Sequence, residues 1–224
     1  MSEVPAHMCG VQLTGHGGPE RLVWRADIPV PRPGPGEVLV RVLAAGVNMT
    51  DINTRVGWYG GEGRAAGWAG AMRLPRIQGS DLCGRVVALG DGVEGLAMGA
   101  RVICPTNQHE PTAENPIAFV SIGSEFDGAF AQYACVPGAH AHRIETALTD
   151  AELASFPCAY SAAENMLTGA LRQIFALGEV LMHADRAFDL AATPEKMSER
   201  KLGLDSFLVD FGDLQKDFKS LVLL

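Results

Sequence analysis

The chain lacks several features that would place it in other classes of protein. No apolar run approaches the length of about 18 residues that a membrane-spanning helix needs, so no membrane partner is expected. Its 18 basic residues are outnumbered by 26 acidic ones and form no basic stripe, which argues against a nucleic-acid partner. The N-terminus lacks the basic and apolar regions of a signal peptide. Its 5 cysteines are odd in number and far apart, which is typical of reduced thiols in the cytoplasm and not of a disulfide scaffold.

Short strands are predicted for the first two thirds of the chain. Residues 1–150 hold most of the 26 glycines and 13 prolines, and these separate short apolar runs rich in Val, Ile, Leu and Ala. Pro35 and Gly36 are predicted to turn the chain into a strand over residues 38–42. This rhythm of strands and turns is typical of a small, partly open antiparallel β barrel.

Helices are predicted after about residue 148, where Ala, Leu, Glu and Met become frequent. Thr149 and Glu152 have the spacing of a capping box at the start of a short helix. The apolar spacing predicts a helix over residues 162–177. A cap, a proline and a closing glycine predict another over residues 193–203. The predicted fold class is therefore mainly β with α, an α+β fold.

Two glycine patterns have the spacing of a dinucleotide-binding loop. The full G-x-G-x-x-G spacing falls at Gly90, Gly92 and Gly95, and a looser version covers residues 61–66. Such a loop must open a crossover helix of at least about 10 residues. Only "LAMGA" separates Gly95 from the next apolar run, so we predict an antiparallel connection with a turn at residues 91–92.

Four separated segments carry a family resemblance. They read "GPGEVLVRVLAAGVNMTDINTRVGWY", "IQGSDLCGRVVALGDGVEGLAMGARV", "GAFAQYACVP" and "LTDAELASFPCAYSAAENML". In this order they resemble the medium-chain dehydrogenase/reductase superfamily, especially its quinone oxidoreductases and zinc-free alcohol dehydrogenases. The resemblance covers roughly residues 8–170. It implies a GroES-like catalytic domain that forms one wall of a cleft, with a NAD(P)-binding Rossmann domain as the other wall.

In that family the Rossmann domain begins just after the position of Leu167, but here the following residues resemble the C-terminal return segment of the catalytic domain. Each βαβ unit needs about 30 residues, so too little chain remains for a complete Rossmann domain. We expect a GroES-like catalytic barrel over residues 1–160. A helical linker and C-terminal return segment over residues 161–224 would belong to the same domain. No cofactor is then expected, and NADP would bind only if a nucleotide-binding domain is supplied in trans.

The same resemblance argues against a metal site. Zinc-dependent relatives carry Cys where Asn48 stands, a His-Glu pair where Ser80 and Asp81 stand, and a further Cys near Cys158. Asn and Ser are poor zinc ligands, and one Cys with one Asp falls short of a three-ligand catalytic site. We expect no bound metal and interpret Cys158 as a small buried apolar residue.

Site residues are carried over from the family by position. The motif "GVNMTD" supplies Asn48 and Asp51, which match residues near the substrate in zinc-free relatives, although a local turn explains both equally well. Tyr59 matches a pocket aromatic residue, and Trp58 beside it would line the pocket or cover the barrel mouth.

Three further residues complete the predicted site. Tyr160 and Ser161 lie where the nicotinamide docks in relatives. His109 lies in residues 105–127, a segment predicted to be a long irregular loop of the kind that forms lids, although a solvated histidine is the simpler interpretation. The predicted catalytic residues are Asp51, Tyr59 and Tyr160, and the predicted substrate-binding residues are Asn48, Trp58, His109 and Ser161.

Three functions remain open. The first is a small-molecule-binding catalytic domain related to NAD(P)H-dependent quinone and alcohol oxidoreductases that does not transfer hydride on its own, because hydride transfer needs nicotinamide and substrate in one closed cleft. The second is a cofactor-independent lyase, isomerase or cyclase that uses the old substrate pocket. The third is a reductase completed by a partner nucleotide-binding chain. An apolar surface left without the Rossmann domain predicts a homodimer or another partner that covers it.

Overall fold

The structure is a computed structural model that describes residues 3–60, 72–110, 112–116 and 118–168. Its ten strands in this part of the chain are β1 (His7–Leu13), β2 (Leu22–Pro29), β3 (Glu37–Gly46), β4 (Arg76–Ile77), β5 (Asp81–Leu89), β6 (Arg101–Ile103), β7 (Asn107–His109), β8 (Phe119–Ser121), β9 (Tyr133–Pro137) and β10 (His142–Arg143). Two α-helices are α1 (Met49–Val56) and α2 (Asp150–Ala154). Residues 157–168 are also helical and are called α3 below.

The strands form open sheets, and the predicted mainly β, α+β class with a GroES-like, partly open arrangement is confirmed. A five-stranded sheet has the order β10-β6-β5-β3-β9, and a three-stranded sheet has the order β2-β1-β4. Strands β7 and β8 form a separate two-stranded ribbon. All the strand pairs are antiparallel.

The main core lies on one face of the five-stranded sheet. Val38 and Val40 of β3 point to the same face and are buried, together with Leu82 and Val86 of β5 and Val102 of β6. Alternate residues of a strand share a face, so this spacing places one apolar row against the core. Each such side chain contributes about 1.5–3 kcal/mol on burial. The core therefore fixes β3 and β5, and the candidate site is built at one end of each.

Strands β3 and β5 approach closely at Gly84. A Cβ atom added there would lie 2.4 Å from the carbonyl oxygen of Arg41. The register of the pair also shifts between Val42 and Ala44, which marks an irregularity of the ladder at this point. The absence of a side chain at residue 84 lets the two strands pair through it.

Turn and cap predictions were largely confirmed. Pro35 and Gly36 form a turn, and the strand that follows is longer than predicted and runs to Gly46. Residues 91–92 form a turn, and β5 pairs antiparallel with β6, so the glycine pattern at residues 90–95 opens no crossover helix. Thr149 caps α2 through the predicted capping box with Glu152.

Two local predictions were wrong. Residues 105–127 are not an irregular loop, because β7 and β8 pair within them. Strands of 3 residues are too short to show an alternating pattern. Helix α3 begins at residue 157, earlier than the predicted 162, because Pro157 suits the first turn of a helix. The helix predicted over residues 193–203 and the C-terminal return segment lie outside the described residues.

Residues Met1–Met166 form one compact unit, and a second unit comprises Leu167–Leu224. The predicted division into a barrel over residues 1–160 and a linker with return segment over 161–224 stays a prediction. None of the helices in the described ranges combines the length and apolar character needed to cross a membrane.

Candidate active site

The site begins where β3 ends and α1 starts. The side-chain oxygen of Asn48 accepts a hydrogen bond from the backbone N–H of Thr50 at 3.4 Å. In return, Oδ2 of Asp51 accepts from the backbone N–H of Asn48 at 2.9 Å. These reciprocal bonds form a capping box, and Gly57 in the left-handed conformation ends the helix. Both side chains therefore serve the local backbone, as the turn interpretation expected, and their roles toward a substrate stay predictions.

Asp51 also ties α1 to the residues before β5. Its Oδ1 accepts from the backbone N–H of Gly79 at 3.1 Å, and Nε2 of Gln78 donates to its backbone oxygen at 2.9 Å. The residue is only 6% exposed. Burial raises the pKa of Asp51 to about 6, the N–H groups of Asn48 and Gly79 oppose that rise, and the charge of Asp81 adds to it. The carboxyl group therefore titrates in the mildly acidic range.

Asp81, the first residue of β5, joins three segments of the chain. Its Oδ1 accepts a hydrogen bond of 2.6 Å from the backbone N–H of Cys158 in the first turn of α3. Its Oδ2 lies 3.5 Å from Nδ2 of Asn48. Burial raises the pKa of Asp81, and the bonds from Cys158 and Asn48 act against that rise. We call this arrangement of Asp81, Asn48 and Cys158 the Asp81 clasp, because one carboxylate holds α3 and the start of α1 to β5.

The thiol of Cys158 lies among polar groups. Burial raises the pKa of this thiol, the charge of Asp81 raises it further, and the hydroxyl groups of Thr106 and Thr50 lower it. The hydroxyl groups of Thr50 and Ser80 lie 3.5 Å apart. A thiol whose pKa is raised stays protonated at neutral pH, and a protonated thiol is a weak nucleophile and a weak metal ligand.

These donors do not fit a zinc ion. The groups around the Asp81 clasp are the amide of Asn48, the hydroxyl of Ser80, the hydrogen-bonded carboxylate of Asp81 and the protonated thiol of Cys158. A catalytic zinc ion takes three His, Cys or carboxylate ligands. Within the described ranges, no group of three or more His, Cys, Asp and Glu side chains is placed to hold a metal ion.

Two aromatic residues follow α1 directly. The rings of Trp58 and Tyr59 meet edge to face with their centroids 5.4 Å apart, and Trp58 is 71% exposed. Nδ2 of Asn53 lies 3.3 Å from the hydroxyl of Tyr59, which fixes that ring against the helix. The pair presents an aromatic surface to solvent, and its predicted role in a pocket stays untested.

The remaining predicted residues lie on α3 and on the β7–β8 ribbon. Tyr160 is 54% exposed, and its ring packs edge-on against Phe156 with centroids 4.6 Å apart. The hydroxyl of Ser161 donates to the backbone oxygen of Pro157, one turn earlier in the same helix. His109 ends β7 and is paired with Phe119 of β8. Tyr160 and Ser161 thus share a helix with Cys158, whereas His109 belongs to a separate element.

Sequence reasoning missed two glutamines that the fold buries. Gln78 is buried and fastens to the backbone of α1, and Gln108 of β7 is completely buried. Neither the amide nitrogen nor the amide oxygen of Gln108 has a hydrogen-bond partner. The segment "RIQGSDL" is itself mostly polar, so no local pattern marks Gln78 as buried.

Comparison with known proteins gives the family. Residues 34–146 match the model of the alcohol dehydrogenase GroES-like domain. An L-threonine 3-dehydrogenase of Streptomyces avermitilis is 34% identical over 133 residues, which cover 54% of this chain and 36% of that protein. A quinone oxidoreductase of Rattus norvegicus is 35% identical over 97 residues, which cover 43% of this chain and 27% of that protein.

A crystal structure from Sinorhizobium meliloti 1021, assigned as an alcohol dehydrogenase, superposes with a TM-score of 0.66 and 41% identity. The match covers 75% of this chain and 48% of that one. The chain thus spans less than half the length of each of these three proteins. It is related to alcohol, threonine and quinone oxidoreductases through this shared part, and it belongs to the alcohol dehydrogenase GroES-like domain family of the medium-chain dehydrogenase/reductase superfamily.

Proposed function

We propose that this domain binds a small polar organic molecule beside α1, the start of β5 and α3, and that it does so without a zinc ion. The observation that carries the proposal is the Asp81 clasp. By resemblance, Asn48, Asp81 and Cys158 occupy positions that supply zinc ligands in zinc-dependent relatives, and here they bond to one another. Asn48 and Ser80 are poor zinc ligands, so only one carboxylate and one thiol remain, which falls short of the three protein ligands of a catalytic zinc site.

The chemistry of the nearby side chains suggests the kind of molecule. The hydroxyl groups of Thr50 and Ser80, 3.5 Å apart, and the amide of Asn48 offer donors to a hydroxyl or carbonyl oxygen. Trp58 and Tyr59 offer an exposed aromatic surface to an apolar body. Few polar groups beside an aromatic wall are typical of small-molecule sites. An alcohol, aldehyde or ketone with an apolar substituent fits this combination.

The domain by itself is proposed not to transfer hydride. Hydride transfer needs a nicotinamide held against the substrate in a site that excludes water. The glycines at residues 90–95 lie in a turn between antiparallel strands and so cannot cradle a pyrophosphate at a helix N-terminus. A nucleotide-binding domain in a partner chain would have to supply the NAD(P) site.

An exposed apolar face of α1 supports a partner at this position. Met49, Ile52 and Val56 follow one another at the three- and four-residue spacing of one helix face, and all are exposed. Trp58 and Val47 extend this α1 face at either end. Exposed apolar patches of this kind mark interaction surfaces. We propose that a nucleotide-binding domain or a second copy of the chain covers it.

The cysteines support a proposal about the compartment. All of the described thiols are free, and they comprise Cys9, Cys83, Cys104, Cys135 and Cys158. Free thiols persist in reducing surroundings. We propose that the protein works in the cytoplasm.

A metal-binding experiment tests the zinc-free site directly. The chain is incubated with cobalt(II), whose d–d absorption becomes intense in a tetrahedral site, and the zinc retained after incubation with zinc and dialysis is measured separately. The unchanged chain is expected to give no such band and to retain no zinc. The double variant Asn48→Cys with Ser80→His supplies two further ligands beside Cys158 and is expected to give the band. A cobalt band or stoichiometric zinc in the unchanged chain would refute the proposal.

The hydride proposal has a separate test. Thermal unfolding of the chain is followed while NADPH or NAD⁺ is added, because a ligand that binds only the folded state raises Tm by mass action. We expect no saturable rise for either nucleotide. A saturable rise would contradict the proposal that the chain needs a nucleotide-binding partner, without affecting the zinc result.

One observation favours a second candidate, a cofactor-independent acid–base enzyme. The pKa of Asp51 near 6 is suited to proton transfer at neutral pH. Against this, both oxygens of that carboxylate accept hydrogen bonds from backbone N–H groups. Turnover of an alcohol or carbonyl compound with no nucleotide present, lost in Asp51→Asn, would favour this candidate.

A further inference from the structure

A second groove lies away from the candidate active site. It has a volume of about 500 Å³ and is bordered by β1, β2, β4 and β9. It shares no lining residue with the Asp81 clasp. A volume in this range is typical of sites for small organic molecules. We call it the acidic groove, for the reasons that follow.

The floor of the acidic groove is apolar. Met8, Ile28 and Ile77 form a buried cluster beneath it, against which Tyr133 packs. Phe126 adds a second aromatic ring to the lining. This floor offers an apolar molecule a surface that excludes water, and the two rings offer a cation the negative faces of their π systems.

The lining carries an excess of negative charge. Four carboxylates belong to it, those of Glu37, Glu110, Glu125 and Asp127, and Arg76 is the one cation among its described residues. That guanidinium is already committed, because it donates to Oδ1 of Asp127 at 2.8 Å and to the backbone oxygen of Glu125 at 3.1 Å. Glu37, Glu125 and Asp127 each accept a backbone N–H group as well, and they keep their negative charge. Four carboxylates against one guanidinium leave three negative charges around an apolar floor.

An anionic or neutral ligand is expected to bind weakly in the acidic groove. Anions are repelled by the excess carboxylates, and neutral molecules gain only from the apolar floor. An ammonium ion gains from the carboxylates and from the aromatic faces at the same time, and aromatic faces are a known means of binding organic ammonium ions. We propose that the acidic groove is a binding site for a small organic ammonium ion with an apolar substituent. It is independent of the function proposed for the active site.

The test uses hexyltrimethylammonium as the probe and hexanesulfonate as its anionic counterpart with the same chain. Met8 lines the groove, so methyl-labelled methionine NMR reports on binding there, and the Met8 signal is identified from its loss in Met8→Leu. We expect a saturable shift of the Met8 methyl signal with hexyltrimethylammonium, with a Kd on the order of 1 mM for a ligand of this size. Hexanesulfonate is expected to give no saturable shift.

Matched variants separate the aromatic and electrostatic contributions. Tyr133→Leu removes the ring and is expected to weaken binding about two- to thirtyfold, whereas Tyr133→Phe keeps the ring and the affinity. Glu110→Gln is expected to weaken the binding of hexyltrimethylammonium by up to about fivefold, the effect of one exposed charge pair. Glu94→Gln changes a glutamate outside the groove and should leave the affinity unchanged.

Four outcomes would overturn the proposal. The first two are a Met8 methyl signal that shifts equally with hexanesulfonate, and one that shows no saturable shift with hexyltrimethylammonium. The third is an equal affinity of Tyr133→Leu and Tyr133→Phe for hexyltrimethylammonium. The fourth is a Met8 methyl signal that shifts when only the protein concentration is raised. The last result would assign the groove to a second copy of the chain.

Discussion

The buried carboxyl group of Asp51 makes a prediction about stability and pH. Its pKa rises from 3.8 to about 6 on folding, chiefly because of burial. A tenfold change in an ionisation constant corresponds to 1.36 kcal/mol, so folding disfavours the charged form by about 3 kcal/mol. Between about pH 4 and pH 6 the folded state therefore binds more protons at this site than the unfolded state does. The contribution of Asp51 to stability is full below pH 4, falls as the pH rises through 6, and is constant above.

Asp51→Asn removes this titration and keeps the shape of the side chain. The amide oxygen replaces one of the two carboxylate acceptors, so either the N–H of Asn48 or that of Gly79 loses its partner, at a cost of about 1–3 kcal/mol that does not depend on pH. We expect the variant to be less stable than the unchanged chain at pH 4. The difference in free energy of unfolding should move by about 3 kcal/mol in favour of the variant on going to pH 7.5, so that the variant becomes at least as stable as the unchanged chain there.

Urea unfolding of the 224-residue chain at closely spaced pH values measures the difference. Asp91→Asn is the matched control, because it makes the same substitution at an exposed turn residue, and it should change the free energy of unfolding little. A constant difference for Asp51→Asn would refute the reasoning, since it would mean that burial does not shift this carboxyl group.

Substitutions at three further positions test the framework of the site, each through its free energy of unfolding in urea. Asp81→Ala leaves the partly buried N–H of Cys158 without its acceptor and should cost about 1.5–3 kcal/mol, and Asp81→Asn, which keeps one acceptor, should cost less. Gly84→Ala places a methyl group 2.4 Å from the backbone oxygen of Arg41 and should cost at least about 1–3 kcal/mol. Leu82→Ala empties a completely buried position and should cost about 2–5 kcal/mol.

Two controls accompany these substitutions. Gly15→Ala meets only a flexible arginine side chain at 3.9 Å and should change stability little, in contrast to Gly84→Ala. Leu43→Ala truncates a partly exposed leucine and should cost clearly less than Leu82→Ala. If Gly84→Ala and Gly15→Ala lose equal stability, the strands do not approach closely at residue 84. If Leu82→Ala and Leu43→Ala lose equal stability, Leu82 is not a core residue.

The sequence predicted the turns and helix caps that depend on neighbouring residues. Pro35 and Gly36 predicted the turn into β3, and Thr149 with Glu152 predicted the cap of α2. These features depend on residues within a few positions of one another. Helix α1 was not predicted, because its apolar residues face solvent and its only strong signal, the capping box, uses Asn and Asp in place of the usual Ser and Glu.

The site itself depends on bonds between distant parts of the chain. Asp81 and Cys158 are 77 residues apart in sequence, and no local pattern marks them as partners. The sequence identified Asn48, Ser80, Asp81 and Cys158 only through family resemblance, as counterparts of a zinc site in which Asn48 and Ser80 are poor ligands. What replaces the metal there, a carboxylate shared between two segments, follows from the three-dimensional arrangement and not from spacing.

Helix α1 carries both the cap that orients Asn48 and the exposed α1 face, and the two are close together. It has 8 residues, so it is about 12 Å long at 1.5 Å per residue. Its first turn is held by the capping box that orients Asn48, and its outer side is the α1 face proposed to meet a partner. A partner that binds one orientation of this short helix also favours one position of the amide of Asn48. Occupancy at the two places would then be thermodynamically linked, with each ligand changing the affinity of the other by the same factor.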